Sequence, residues 1–251
     1  MQPDFTPLLD PARPLFLHKL ALSPGLRVLV LAPHPDDFDV IGMTMRMLHD
    51  NGNAIDLVVL TSGASGVDDE AAGPLSPQDK GLLREEEQRA SCRFFGLPPD
   101  RLCFLRLDED AEGHMEVSEA NQARVQAYWD AHSPDLVFLP HGNDTNAAHR
   151  RTYRMFRQLM DRDTRGVMAF LSQDPKTIGL RADLYTVFGE PEAGWKGALL
   201  RHHRTQHERN LRTRQYGIDE RILRTNRQAA EPLGLDIQYA EAFELEWHAP
   251  R

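Results

Sequence analysis

Residues 34–37, His-Pro-Asp-Asp, follow directly on the apolar run "LRVLVLA" (26–32), and "HGNDTNAAH" (141–149) follows directly on "PDLVFLP" (134–140). Each cluster sets imidazole and carboxylate groups where a hydrophobic segment ends. Adjacent carboxylates such as Asp36 and Asp37 repel one another unless positive charge stands between them. If one of them and a histidine from each cluster bind a single divalent cation, three protein donors result. That number is typical of catalytic zinc, which keeps a position open for water. Water held there has its pKa lowered toward about 7, and the remaining aspartate is free to take its proton. Taken singly, each cluster has a plainer reading. An Asp-Asp pair can cap a helix and favour its positive end, and a solitary His is commonly a hydrogen-bonded structural residue. Two such strand ends in one chain favour the metal.

The segments around the clusters are able to bring them together. "LRVLVLA" (26–32) and "AIDLVVLT" (54–61) are short continuous apolar runs of the kind expected for strands buried on both faces. Between them, residues 39–51 carry apolar groups at helical spacing and stop at Asn51-Gly52, so the unit is βαβ with a right-handed crossover. Residues 62–79 form a long loop rich in Gly, Ser, Pro and acids, with Asp68, Asp69 and Glu70 together. A helix over 80–96, a strand over 101–107, a helix over 119–132 and a strand over 134–140 come next. Strands over 166–171, 182–188 and 237–245 and helices over 195–213 and 217–230 complete the chain. Repeating βα units predict an α/β, Rossmann-like three-layer fold with a mainly parallel sheet, its metal site beyond the C-terminal ends of the strands. One domain is expected over 1–251, with residues 1–24 an irregular, proline-punctuated arm.

The 251 residues carry a formal net charge of −9, with 27% charged and 41% hydrophobic residues. That is a globular composition, and the acidic balance argues against nucleic acid as the principal partner. No apolar run approaches the ~18 residues of a membrane span, and the N-terminus lacks the basic and apolar regions of a signal peptide, so a cytoplasmic protein is expected. Cys92 and Cys103 make no CxxC and read as core thiols. Trp195 and Trp247 read as packing residues.

"PHPDD", "LTSGASG", "REEEQRASCRFFG", "PDLVFLP" with "DTNAAH", "KGALLRHHRTQ" and "YAEAF" resemble, in this order, the PIG-L/LmbE-like zinc de-N-acetylases, over about residues 26–244. That family includes the glucosaminyl-phosphatidylinositol, mycothiol and bacillithiol pathway deacetylases. The resemblance implies that His34, Asp37 and His149 bind Zn2+, for which another divalent transition metal could substitute, and that Asp36 is the general base. It implies removal of an acetyl group from a small N-acetylglucosamine-like sugar conjugate. Arg84 falls where relatives carry an arginine that contacts substrate or the acyl oxygen; read without the family, "REEE" is a solvated helix face. His203-Arg204-Thr205-Gln206 corresponds to an HxSQ-like element near the site. A homo-oligomer is left open.

Departures from the family pattern are informative. The acidic residue that commonly follows HPDD is represented by Asp39, after Phe38, and Gly42 alone represents the glycines. The second motif usually reads Asp-x-His-Pro-Asp-His, whereas here Asn146 and Ala148 replace a histidine and an aspartate. Those two act as a pair in relatives, the imidazole stabilising the oxyanion or protonating the amine and the carboxylate orienting it. Asn146 can donate a hydrogen bond to an oxyanion but supplies no proton. Asp36 could return the proton it takes, and His141 is a second candidate, although a strand-end imidazole hydrogen-bonded to backbone is the favoured reading of that residue. Between residues 196 and 227 nine Lys or Arg stand against three Asp or Glu. They read as exposed helix faces or as a source of a partner, Lys196 or an arginine, for an anionic group on the substrate. Alternatives are a noncatalytic zinc- or sugar-binding relative and a hydrolase of another amide or ester.

Overall fold

The structure, a computed structural model, describes residues 4–69, 73–234 and 236–251. Residues 1–3 of the expected arm and Glu70 of the acidic run lie outside the described residues. Eight strands form one sheet: β1 (Leu15–Phe16), β2 (Arg27–Ala32), β3 (Ala54–Val59), β4 (Leu102–Phe104), β5 (Leu136–Pro140), β6 (Val167–Ser172), β7 (Leu184–Phe188) and β8 (Tyr239–His248). Their order is β1-β7-β8-β6-β5-β2-β3-β4. All pairs are parallel except those of β8, which runs antiparallel to β6 and β7. The helices are α1 (Asp37–Val40), α2 (Gly42–Asp50), α3 (Pro77–Phe95), α4 (Glu119–His132), α5 (Ala147–Arg162), α6 (Glu190–Leu200), α7 (Arg204–Arg214) and α8 (Ile218–Ala230). Among the described residues no helix is long and apolar enough to cross a membrane.

The mostly apolar strands β2, β3, β5 and β6 are buried because both sheet faces are covered. Val28, Val30, Leu57, Phe138 and Phe170 join one cluster with Phe38, Met45, Cys92 and Ile222 of the helices on their side. Leu29, Leu31, Val58, Val137 and Leu171 join the other with Val125 and Trp129 of α4 and Phe156 of α5. Alternate residues of each strand thus serve opposite layers, giving the expected α/β three-layer fold. Strand order reverses where β2 pairs with β5, and the two clusters of histidine and carboxylate leave the sheet from these neighbouring strands. In a sheet of this kind such a reversal is where ligands bind.

The helix expected over 39–51 is broken at Ile41, and the reason lies far away in sequence. Glu241 on β8 accepts hydrogen bonds from Met43 N (3.0 Å) and Thr44 N (2.8 Å), capping α2. Lys196 on α6 donates to the Val40 carbonyl (2.6 Å), to Asn226 Oδ1 (2.8 Å) and to Glu241 Oε1 (2.6 Å). Lys196 is therefore fully buried beneath the α1–α2 corner and cannot meet a substrate anion, as the sequence had allowed. Burial lowers its pKa, while Glu241 acts against that. At this corner a Cβ on Gly42 would lie 2.8 Å from Leu199 Cδ2, so a larger residue would require Leu199 to shift. The helix expected over 195–213 is likewise two helices, parted at 201–203 where His203 turns inward to Asp39, Nε2 to Oδ2 at 2.6 Å.

Removing one partner from a buried, fully hydrogen-bonded ion pair leaves the other charge uncompensated. Lys196→Met is expected to lower stability by about 3–5 kcal/mol, read from urea unfolding. A change below about 1 kcal/mol would show that the pair does not hold the corner.

Candidate active site

The chain leaves β2 through Pro33 and reaches Asp36 with φ 111°, a left-handed conformation rare for a residue with a side chain. Two contacts from α3 hold it there. Gln88 Oε1 accepts from the Asp36 N–H at 3.0 Å, and Arg84 donates to the Pro35 carbonyl while its guanidinium lies 3.1 Å from Asp36 Oδ2. Arg84 is 2% exposed, so this face of α3 is not the solvated one that "REEE" allowed. Burial pushes the Asp36 carboxyl up, and Arg84 opposes it.

The turn sends the Asp37 carboxylate the other way. Its Oδ2 accepts from His34 N at 2.8 Å and lies 3.4 Å from His34 Nδ1; its Oδ1 lies 3.5 Å from His149 Nε2. His149 is buried on α5, and its Nδ1 lies 3.1 Å from Asp144 Oδ2. An imidazole whose Nδ1 is held by a carboxylate presents Nε2 as donor, the arrangement in which histidines bind metals. His34, Asp37 and His149 offer donor atoms all within 4.8 Å of one another. A second trio, Asp144, His149 and Asp174, is equally close. Because the Asp144 contact already occupies Nδ1, a cation at Nε2 would fall to the first.

The charge of the donor set fits a cation. Burial would raise the Asp37 carboxyl, but the hydrogen bonds of His149 and His34 hold it far below the usual carboxylate range. Burial alone would lower the His149 imidazole, yet Asp144 and Asp37 push it up to about 10. The carboxylates thus demand positive charge at Nε2, and without a metal a proton meets that demand. Three donors of the nitrogen and oxygen types that zinc takes are present together.

Asn146 caps α5, its Oδ1 accepting from Ala148 N at 3.0 Å, which leaves its amide N–H groups available. It lines the same cavity, of about 380 Å³, as Asp36, Asp37, His34, His149 and Arg84. His141 does not line that cavity: its Nδ1 accepts from Asn143 N (3.0 Å) and its Nε2 lies 3.3 Å from Glu244 Oε2. His141 therefore lies outside the cavity shared by Asp36 and the His34, Asp37 and His149 group. Four residues not singled out from the sequence also bear on the cavity. Asp174 and Lys176 arrive on the loop after β6, His114 on the 109–115 turn, and Gln88 supports from behind. The position of Asp174 just past a strand end was the available signal; His114 carried none. Gln206, of the HxSQ-like element, lines the cavity, whereas His203 lies beneath it on Asp39.

The family profile described as GlcNAc-PI de-N-acetylase (PIG-L) matches residues 29–160, which contain both strand-end clusters. No match is found among curated proteins. Among solved structures, N,N'-diacetylchitobiose deacetylase from Pyrococcus horikoshii is 20% identical with a TM-score of 0.72, over 88% of this chain and 83% of that one. The zinc-inhibited form of the teicoplanin deacetylase Orf2 is 16% identical with a TM-score of 0.66, over 88% and 98%. GalB, the 4-carboxy-2-hydroxymuconate hydratase from Pseudomonas putida KT2440, is 18% identical with a TM-score of 0.67, over 90% and 97%. At these identities the likeness establishes the fold.

Cation binding at Nε2 must displace the His149 proton, whose pKa stands at about 10. Zinc uptake by metal-free protein, followed by competition with a chelator, is expected to strengthen up to about tenfold per pH unit from about pH 6 to about pH 8. His149→Ala should abolish stoichiometric zinc; its retention would remove His149 from the donor set.

Proposed function

The chain belongs to the PIG-L family, and on that premise we propose that it is a zinc-dependent hydrolase removing the acetyl group from an N-acetylglucosamine-like sugar conjugate. One observation carries the reading: a carboxylate that is not part of the donor set, Asp36, is held in a strained backbone turn beside the His34, Asp37 and His149 donors, facing a cavity. A site that only stored or structured a metal has no need of it.

His34, Asp37 and His149 would hold the zinc, which supplies Lewis acidity toward an acyl carbonyl and lowers the pKa of water. Asp36 takes the proton of the attacking water as general base. Arg84 keeps that carboxylate oriented through its contacts with Asp36 and the Pro35 carbonyl. Asn146, its carbonyl engaged in capping, turns an amide N–H to the acyl oxygen as negative charge grows there. The proton on Asp36 then passes to the departing amine, so one carboxylate acts as base and as acid. Asp144 fixes the His149 ring throughout.

A second reading, hydrolysis of an ester or of an amide with a better leaving group, is favoured by Asn146 in place of the family imidazole, since such a group leaves without protonation. Acetate release from paired N-acetyl and O-acetyl sugars separates the two. For the mechanism itself, Asp36→Asn is expected to keep stoichiometric zinc and lower kcat by about 10²–10⁴-fold. Wild-type turnover in that variant would overturn the assignment of Asp36.

A further inference from the structure

The cavity that holds the donors is also lined by Lys176, Arg209, Arg214 and Arg221. The carboxylates Glu112 and Asp174 line it too, beside Asp36 and Asp37, but among the described residues none of these four pairs with Lys176, Arg209, Arg214 or Arg221. Two carboxylates close to Arg214 and Arg221 in sequence are already committed. Asp219 lies 2.6 Å from Arg201 Nη1 and 3.3 Å from His207 Nδ1, and Glu220 lies 2.9 Å from Arg224 and 3.2 Å from Arg227. Arg209 reaches the Gly66 carbonyl at 3.2 Å and lies 3.8 Å from Asp68. Among the described residues no carboxylate lies within 4 Å of the charged nitrogens of Arg214, Arg221 or Lys176. Among the described residues the side chain of Arg214 hydrogen-bonds its neighbour Thr213 Oγ1, at 2.8 Å. Nor does either arginine pair with Asp36 or Asp37, so their charges are not spent on the donor cluster.

The arginines sit close enough to repel one another. Partial burial, with Arg221 and Arg209 nearby, lowers the Arg214 pKa. Like charges held together in this way, on the ends of two helices that meet at residues 214–218, are relieved when an anion enters between them. Guanidinium groups suit a carboxylate or phosphate, whose paired oxygens match two parallel N–H donors.

We propose that Arg214 and Arg221, with Lys176 lining the same cavity, form an anion subsite that receives a carboxylate or phosphate on the part of the substrate away from the scissile acetamide. The subsite rests on the deacetylase reading for what occupies the donor end, and on the unpaired arginines alone for the charge it receives. It also excludes a purely neutral sugar as the best substrate.

The test uses metal-loaded protein, with N-acetylglucosamine 1-phosphate and methyl N-acetylglucosaminide as paired substrates and inorganic phosphate as a calorimetric probe. Wild-type protein is expected to prefer the phosphorylated sugar by about tenfold or more in kcat/KM, with the ratio falling to about one in Arg214→Ala/Arg221→Ala. Inorganic phosphate binding should weaken about tenfold in the same variant, and Arg221→Lys, which keeps the charge without the fork, should retain part of the preference. No preference in the wild type, or the same preference in the double variant, overturns the subsite while leaving the deacetylase reading intact. Phosphate binding that is lost in the double variant, in a protein that deacetylates neither sugar, leaves the subsite standing and removes the deacetylase reading.

Discussion

Two carboxylates one residue apart must be kept from sharing the same space, and the left-handed backbone at Asp36 accomplishes this. The turn sends Asp37 toward the imidazoles of His34 and His149 and Asp36 toward the guanidinium of Arg84. Each negative charge thereby receives its own positive partner, and mutual repulsion becomes a division of labour. A conformation of this kind costs of order 1–3 kcal/mol and persists only where its surroundings over-determine it. Here Gln88 and Arg84, one turn apart on α3, grip the two polar ends of the peptide that joins Pro35 to Asp36.

Those surroundings extend well behind the cavity. Gln88 also donates to Asp39 at 3.2 Å, and Asp39 accepts in addition from Ser91 and lies against His203. Glu87 accepts from Thr205 N and Oγ1, tying α3 to the start of α7. On the other side of the same corner, Lys196 and Glu241 join α6 and β8 to the α1–α2 break. These polar groups are nearly all satisfied, which is the condition under which a buried network adds rigidity instead of cost. The site is therefore supported by α3, α6, α7 and β8 as well as by the two strands that carry the donors.

The sheet and the convergence of the two clusters were legible because they depend on local pattern. β2, β3, β5 and β6 are short, mostly apolar segments, and the clusters stand at the ends of two of them. What sequence periodicity could not disclose depends on partners distant along the chain. Gly42 marks a weak point between residues 39 and 51, but nothing there signals that the cap is Glu241, and nothing near Lys196 signals that it ends on the Val40 carbonyl. Helical spacing joins 195–213 into one segment, whereas burial of His203 against Asp39 parts it. His141 illustrates the same dependence: a strand-end histidine reads as a hydrogen-bonded structural residue or as an acid, and its partner, Glu244 on β8, lies about a hundred residues away. Arg84 sits in a stretch that reads as surface, yet it is the most enclosed arginine contact at the site.

The loop after β6 that brings Asp174 and Lys176 to the cavity is fastened to the loop after β5. Asp144 and Thr177 form an isolated antiparallel bridge, Thr145 N donates to the Lys176 carbonyl at 3.1 Å, and Thr177 Oγ1 donates to Asp144 Oδ2 at 3.3 Å. That same Asp144 oxygen faces His149 Nδ1. The cavity wall at Asp174 and Lys176 and the carboxylate that holds Nδ1 of the candidate donor His149 are thus one mechanical piece. A lineage or a protein engineer that remodels residues 173–178 to admit a different molecule also retunes the basicity of His149. Selectivity and reactivity in this scaffold will consequently tend to change together, and compensating substitutions should be sought at Asp144 and Thr177 before anywhere else.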